Sequence, residues 1–298
     1  MFRNLLVPLD GSRLAEAALP PALSLAQTLG APVTLLHILE KDAPTTVHQD
    51  QHLSRAEDAV AYLNQIAQRF TAAGVVVQVH VHTRPVTDVA ESIVHHATRE
   101  FNPDLIVMCA HGQGGVRDFL IGNIAQQVLA RQQAPILLCQ PRTEDHPPFT
   151  LRRLLLPLDD ESQHDLSLGY AVHLARAYDA EACLLTVVPT LATLRGERAA
   201  AGSLLPLTAA AYLDWQEEEA WTHLEEHLRE LQQAGVRAYR HVVRGDPAEQ
   251  IVAVAEAEEV DLIILATHRK AGMAAFWAHS VAPQVVRRTR RPVLLIPL

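Results

Sequence analysis

"NLLVPLDGS", Asn4 to Ser12, returns in the second half of the chain as "RLLLPLDDES", Arg153 to Ser162. Each copy is a short run of Leu and Val that stops at Pro-Leu-Asp. That is the look of a strand buried on both faces and ended by a turn. Four more pairs follow in the same order. "VTLLHILE" (Val33 to Glu40) matches "ACLLTVVP" (Ala182 to Pro189), and "FTAAGVVVQVHV" matches "LQQAGVRAYRHVV". "DLIVMCAHG" matches "DLIILATHR", and "QQAPILLCQP" (Gln132 to Pro141) matches "TRRPVLLIPL" at the end. A repeat this long is a duplicated domain and not a solenoid unit. Between the copies "QPRTEDHPPFT" (Gln140 to Thr150) is polar and proline-rich, the composition of a linker. The expected division is a first domain at 1–141, a linker at 142–150 and a second domain at 151–298.

Between the apolar runs lie "LAEAALPPALSLAQTLG" and "SRAEDAVAYLNQIAQRFTAAG", which have helical spacing and close on Gly30 and Gly74. Alternating strand and helix predicts an α/β fold, an open parallel sheet wound on both faces, once per copy. The second copy carries an extra segment, "TLATLRGERAAAGSLLPLTAA", after its second strand.

Composition narrows the function. The 298 residues are 49% apolar and 20% charged, normal for a globular protein. A net charge of -9 argues against nucleic acid or an anionic membrane as the main partner. The basic cluster "RRTRR" (Arg287 to Arg291) falls where a helix should end, which suits its dipole. No stretch reaches the ~20 apolar residues of a membrane span, and the N-terminal apolar run is too short for a signal peptide. Cys109, Cys139 and Cys183 lack CxxC spacing and read as reduced thiols of a cytoplasmic protein.

Ligands of such sheets sit beyond the carboxyl ends of the strands, where strand order reverses. "MCAHGQGGVRDFLIGN", Met108 to Asn123, occupies that place after the fourth strand and is rich in glycine. No Lys-Ser or Lys-Thr follows, so it is not the loop of the common NTPases. Asn123 is expected at a helix N-cap, where free N–H groups and the dipole favour an anion, with Ile124, Val128 and Leu129 on the apolar face.

The order "PLD", "MCAHG", nine residues, "GN", then "APILL" resembles the universal stress protein family, once per copy over nearly the whole chain. That family's nucleotide signature is Gly-x2-Gly-x9-Gly-Ser/Thr. The resemblance implies two tandem five-stranded, Rossmann-like domains of the adenine nucleotide alpha hydrolase-like type, paired through their last strands about a pseudo-two-fold. It also implies ATP, ADP or AMP, with or without Mg, bound by the first copy at Pro8, Leu9, Asp10, Ile38, Met108, Cys109, His111, Gly112, Gly122, Asn123 and Ile124. Cys109 stands at the first signature glycine and Asn123 at the Ser/Thr. Arg84 is matched to a family glycine that the second copy keeps as Gly245. In the second copy Ala266, Arg269 and His279 replace all three signature glycines and only Ser280 survives, so that half is expected not to bind.

Of the 16 histidines, His80 and His82 fall on one face of a strand, while His95 and His96 point apart on a helix. No Cys or carboxylate completes a ligand set by spacing, so no metal is expected. A GxSxG elbow and a lysine in the first loop are both missing, which leaves no catalytic set and at most a slow ATPase. The expectation is a nucleotide-binding stress-response sensor. The alternative is a tandem scaffold or chaperone-like protein with an unknown protein partner, and a homodimer stays open.

Overall fold

Leu5, Leu6 and Val7 are fully buried, so the opening strand runs through the middle of a sheet and not along its rim. The computed structural model describes residues 1–43, 46–47, 50–51, 53–110, 123–140, 147–159, 165–194, 200, 204–267 and 280–298. In the first half these form β1 (Leu5–Pro8), α1 (Leu19–Leu29), β2 (Val33–Glu40), α2 (Ala56–Ala72) and β3 (Val77–Val86). They are followed by α3 (Val89–His96), β4 (Leu105–Cys109), α4 (Asn123–Arg131) and β5 (Ile136–Cys139). The second half repeats the plan as β6 (Arg153–Pro157), α5 (Asp165–Tyr178), β7 (Glu181–Val188), α6 (Pro206–Gln233) and β8 (Ala238–Arg244). It ends with α7 (Pro247–Ala257), β9 (Leu262–Thr267), α8 (Val281–Arg288) and β10 (Val293–Pro297).

The chain divides into two compact units. Among the described residues the first gathers residues 1–150 with Pro292–Pro297, and the second gathers Leu151–Thr267, Ser280–Arg291 and Leu298. In the first unit the strand order is β3-β2-β1-β4-β5, and all four of these pairings are parallel. β10 then lies antiparallel against β5, with Val293 opposite Leu138 and Leu295 opposite Ile136. The strand that closes the second repeat in sequence is therefore grouped with the first unit. The second unit carries the order β8-β7-β6-β9.

Both units use the same devices. Asp104, just before β4, accepts hydrogen bonds from the N–H groups of Arg3 (2.7 Å) and Asn4 (3.0 Å). Asp261, just before β9, does the same for Arg152 (2.7 Å) and Arg153 (3.1 Å). One carboxylate thus aligns the entry of the first strand with the fourth in each unit. α1 ends on Gly30 in the left-handed conformation, while α2 ends on Ala73 with left-handed Gly74 one place further on. Asp88 and Asp246 cap α3 and α7 by accepting from Glu91 (2.8 Å) and Glu249 (3.2 Å). These matched caps correct one assignment from sequence. Thr87, and not Arg84, stands where the second unit has Gly245, because Arg84 lies inside β3. Of the basic cluster, Arg287 and Arg288 fall in the last turn of α8, and Arg288 lies 3.5 Å from both Asp246 and Glu249. That geometry is surface ion pairing and helix-end compensation.

Candidate functional site

The order β3-β2-β1-β4-β5 reverses between β1 and β4, and in open α/β sheets the ligand crevice lies outside the carboxyl ends of the strands at such a reversal. Pro8 ends β1, and buried Leu9 continues the ladder by donating to the Leu36 carbonyl (2.8 Å). Asp10 then turns the chain. The N–H and the hydroxyl of Ser12 both donate to Asp10 Oδ1 (2.9 and 2.7 Å), and the Ser12 hydroxyl accepts from Ala15 N–H (3.2 Å). The Asp10 carboxylate therefore shapes the turn as well as standing at the crevice.

Gly11 has φ +89°, and a Cβ built on it would lie 2.6 Å from Cγ and Cδ1 of Leu53. Both the backbone and the space demand glycine here. Leu53 is held in turn by His37, fully buried on β2. Its Nδ1 lies 2.8 Å from the Leu9 carbonyl oxygen and its Nε2 3.1 Å from that of Leu53. One imidazole thus ties the end of β1 to the segment entering α2. In the second unit Thr186 holds the matching position, and its hydroxyl donates to the Leu158 carbonyl (3.1 Å). Sequence reasoning passed over both residues. The signal was a polar side chain at the same place in "VTLLHILE" and "ACLLTVVP".

Ile38 and Met108 are each 6% exposed at the ends of β2 and β4. Cys109 is the last residue of β4, buried and in register with Cys139 of β5. Burial, with Cys109 adding to it, pushes the Cys139 thiol well up, so it stays protonated. Asn123 opens α4, where its Oδ1 accepts from the Gln127 amide (2.9 Å). The buried stripe of α4 is Ala125 and Val128, which corrects the expected face and leaves Ile124 38% exposed. His111, Gly112 and Gly122 lie outside the described residues, as do Arg269 and His279 of the second repeat. Ser280 is the N-cap residue of α8.

On the far side of Asp10, the Tyr62 hydroxyl of α2 donates to Glu16 (3.3 Å). Burial, then the charges of Glu16 and Asp10, push that phenol well above its ordinary range. It acts here as a neutral donor, not as a base.

A duplicated, doubly wound α/β protein whose first sheet reverses strand order between β1 and β4 is the class these features define. A profile of the Universal stress protein family matches residues 1–140 and again 150–297. The chain belongs to that family. A universal stress protein of Methanocaldococcus jannaschii (MJ0577) is 35% identical over 79 residues, which is 26% of this chain and 49% of that relative. The match thus spans about half the length of that relative. The Bacillus subtilis protein YxiE is 24% identical over 151 residues, 46% of this chain and 99% of its own. A crystal structure of a universal stress protein from Archaeoglobus fulgidus shares the fold at TM-score 0.70 and 18% identity, covering 99% of this chain and 96% of that one.

Proposed function

We propose that this protein binds an adenine nucleotide, ATP, ADP or AMP, in the crevice of its first unit and acts in a stress response as a sensor. The observation that supports the reading is that Asp10 follows β1 while Ile38 and Met108 lie near the carboxyl ends of β2 and β4, the end of the sheet where a ligand is expected because strand order reverses. Both hydrogen bonds from Ser12 fall on Asp10 Oδ1, so Oδ2 is the oxygen offered to a ribose hydroxyl. Ile38, Met108 and the half-exposed Ile124 offer apolar surface to a flat base. Asn123 spends its oxygen on Gln127, which leaves its amide N–H groups for phosphate at the start of α4. Magnesium would be held by the phosphates more than by the protein. The function read here is binding and not turnover. Three buried cysteines outside any disulfide fit a reducing, cytoplasmic setting, and no described helix is long and apolar enough to cross a membrane.

The test is calorimetric titration of ATP with magnesium into the full chain, beside Gly122→Asp and Arg269→Ala. The reading expects one site per chain, lost in Gly122→Asp and kept in Arg269→Ala. Loss in Arg269→Ala would move the site to the second repeat. Absence of heat and of any thermal shift would leave a tandem scaffold whose ligands are proteins.

A further inference from the structure

Away from the crevice, a second group of polar side chains gathers between the edge strand β3 and the end of α3. His80 and His82 stand two residues apart on β3 and so share one face. Across from them His96, the last residue of α3, is buried to 3% exposure, while its neighbour His95 is exposed. The His80 and His96 rings lie 4.8 Å apart centre to centre, and Phe101 closes the floor, 5.1 Å from the His80 ring and stacked at 5.9 Å on His96. His96 Nε2 is 3.0 Å from His82 Nδ1. His96 Nδ1 lies 2.9 Å from Glu100 Oε2, and among the described residues this buried nitrogen has no other partner.

We propose that His80, His96 and Glu100 form a binding site for a divalent first-row transition metal of the zinc type, with His82 as the residue that orients His96. One ligand atom from each of the three lies within 4.8 Å of the others. Ligands about 2.1 Å from a tetrahedral ion stand about 3.4 Å from one another, so small side-chain rotations close the set. Two histidines and a glutamate are a known zinc ligand chemistry, with the fourth position left to water. Glu100 is 41% exposed on its side chain and gives that position access to solvent. In the metal-bound form His82 Nδ1 would accept the Nε2–H of His96, leaving the Nδ1 lone pair of His96 for the ion.

The second repeat acts as an internal comparison. His241 of β8 matches His80, and its Nε2 lies 3.0 Å from Glu258 Oε1, so a strand histidine facing a glutamate is common to both units. Only the first unit adds two more histidines, since Val254 stands where His96 would be. It also adds one residue between Ile93 and left-handed Asn102, compared with Ile251 and left-handed Glu259. That residue is taken up in a π-helical turn, Ala97–Phe101, which carries Glu100. Such turns disturb the regular helix ladder and are frequent at functional sites.

The test uses the full chain, freed of metal by a chelator and titrated with Zn2+ by calorimetry, with Co2+ absorption as a reporter of tetrahedral geometry. His80→Ala and Glu100→Gln, both at accessible positions, should keep the melting profile of the metal-free protein. Each should weaken Zn2+ binding more than about a hundredfold, and His82→Ala should weaken it less, by about 10–100-fold, as is typical of an outer partner. His223 and His227 on α6, with ring nitrogens 3.1 Å apart, are the competing pair. His223→Ala should leave the affinity unchanged. Failure of the native chain to bind Zn2+, binding indifferent to both His80→Ala and Glu100→Gln, or binding lost in His223→Ala would each overturn the assignment.

Discussion

Replacing Gly11 by alanine tests how tightly the turn after β1 is fixed. At φ +89° an alanine costs about 1–2 kcal/mol in backbone strain. The new Cβ would also stand 2.6 Å from Cγ and Cδ1 of Leu53, where carbon atoms prefer about 3.5–4.0 Å. Leu53 must move by about 1 Å, and its carbonyl is held by His37, so a further ~1 kcal/mol is expected. The sum is about 2–3 kcal/mol, or about 30–150-fold in an opening equilibrium. Emission of Trp215 and Trp221 reports poorly on this, because both lie in the second unit. Amide hydrogen exchange of peptides covering β1 and β2 is the direct readout. Leu53→Ala in the Gly11→Ala background should recover the steric part, a coupling of about 1 kcal/mol, and leave the backbone part in place. Exchange within twofold of the native protein would show that the turn adapts without cost. A coupling of zero would show that Leu53 does not confine it.

Two further outcomes follow from the geometry. Asp104→Ala frees two strand N–H groups from a charged acceptor and should destabilise the first unit by about 1.5–3 kcal/mol, with Asp261→Ala doing the same to the second. Exchange should rise mainly in the unit carrying the change, and a uniform rise would contradict the division into two units. Asp88 has its pKa held below the ordinary 3.8, first by the Glu91 N–H and then by Arg131, whose guanidinium lies 2.9 Å away. A depressed carboxyl contributes stability that is present above that ordinary value and lost as pH falls through the folded one. Native protein should therefore exceed Asp88→Asn in stability at neutral pH by about 0.3–1 kcal/mol and lose that lead on acidification below about pH 4. A lead unchanged in acid, read by chemical denaturation, would dismiss the Arg131 pair as its source.

The fold was legible because the chain states its strand pattern twice, and buried parallel strands write themselves as unbroken apolar runs. "LLVP" and "LIVMC" need no partner to be recognised. The strand-end positions of Asp10, Ile38 and Met108 were legible for the same reason, lying at or near the close of such runs. What escaped depends on pairs distant in sequence. His37 looks like one more residue of an apolar strand until Leu53 comes back across it. The meeting of His80, His96 and Glu100 escapes a spacing search because strand β3 supplies one member and a helix end the other two. The π-helical turn that carries Glu100 breaks the very periodicity by which helix faces are predicted. Ile124 was misjudged as core because α4 buries Ala125 and Val128, a stripe rotated by one residue.

The antiparallel seat of Val293–Pro297 on Ile136–Cys139 also sets a timetable for synthesis. β5 leaves the ribosome as an apolar strand with one flank unfilled. Its partner is encoded about 150 residues later, a wait of about 8–30 s at usual elongation rates. Through that interval the exposed flank is open to chaperones and to other nascent chains on the same messenger. A transcript cut short anywhere in the second repeat would yield a first unit still lacking its outermost strand, so damage far downstream is felt in a domain whose own codons are intact.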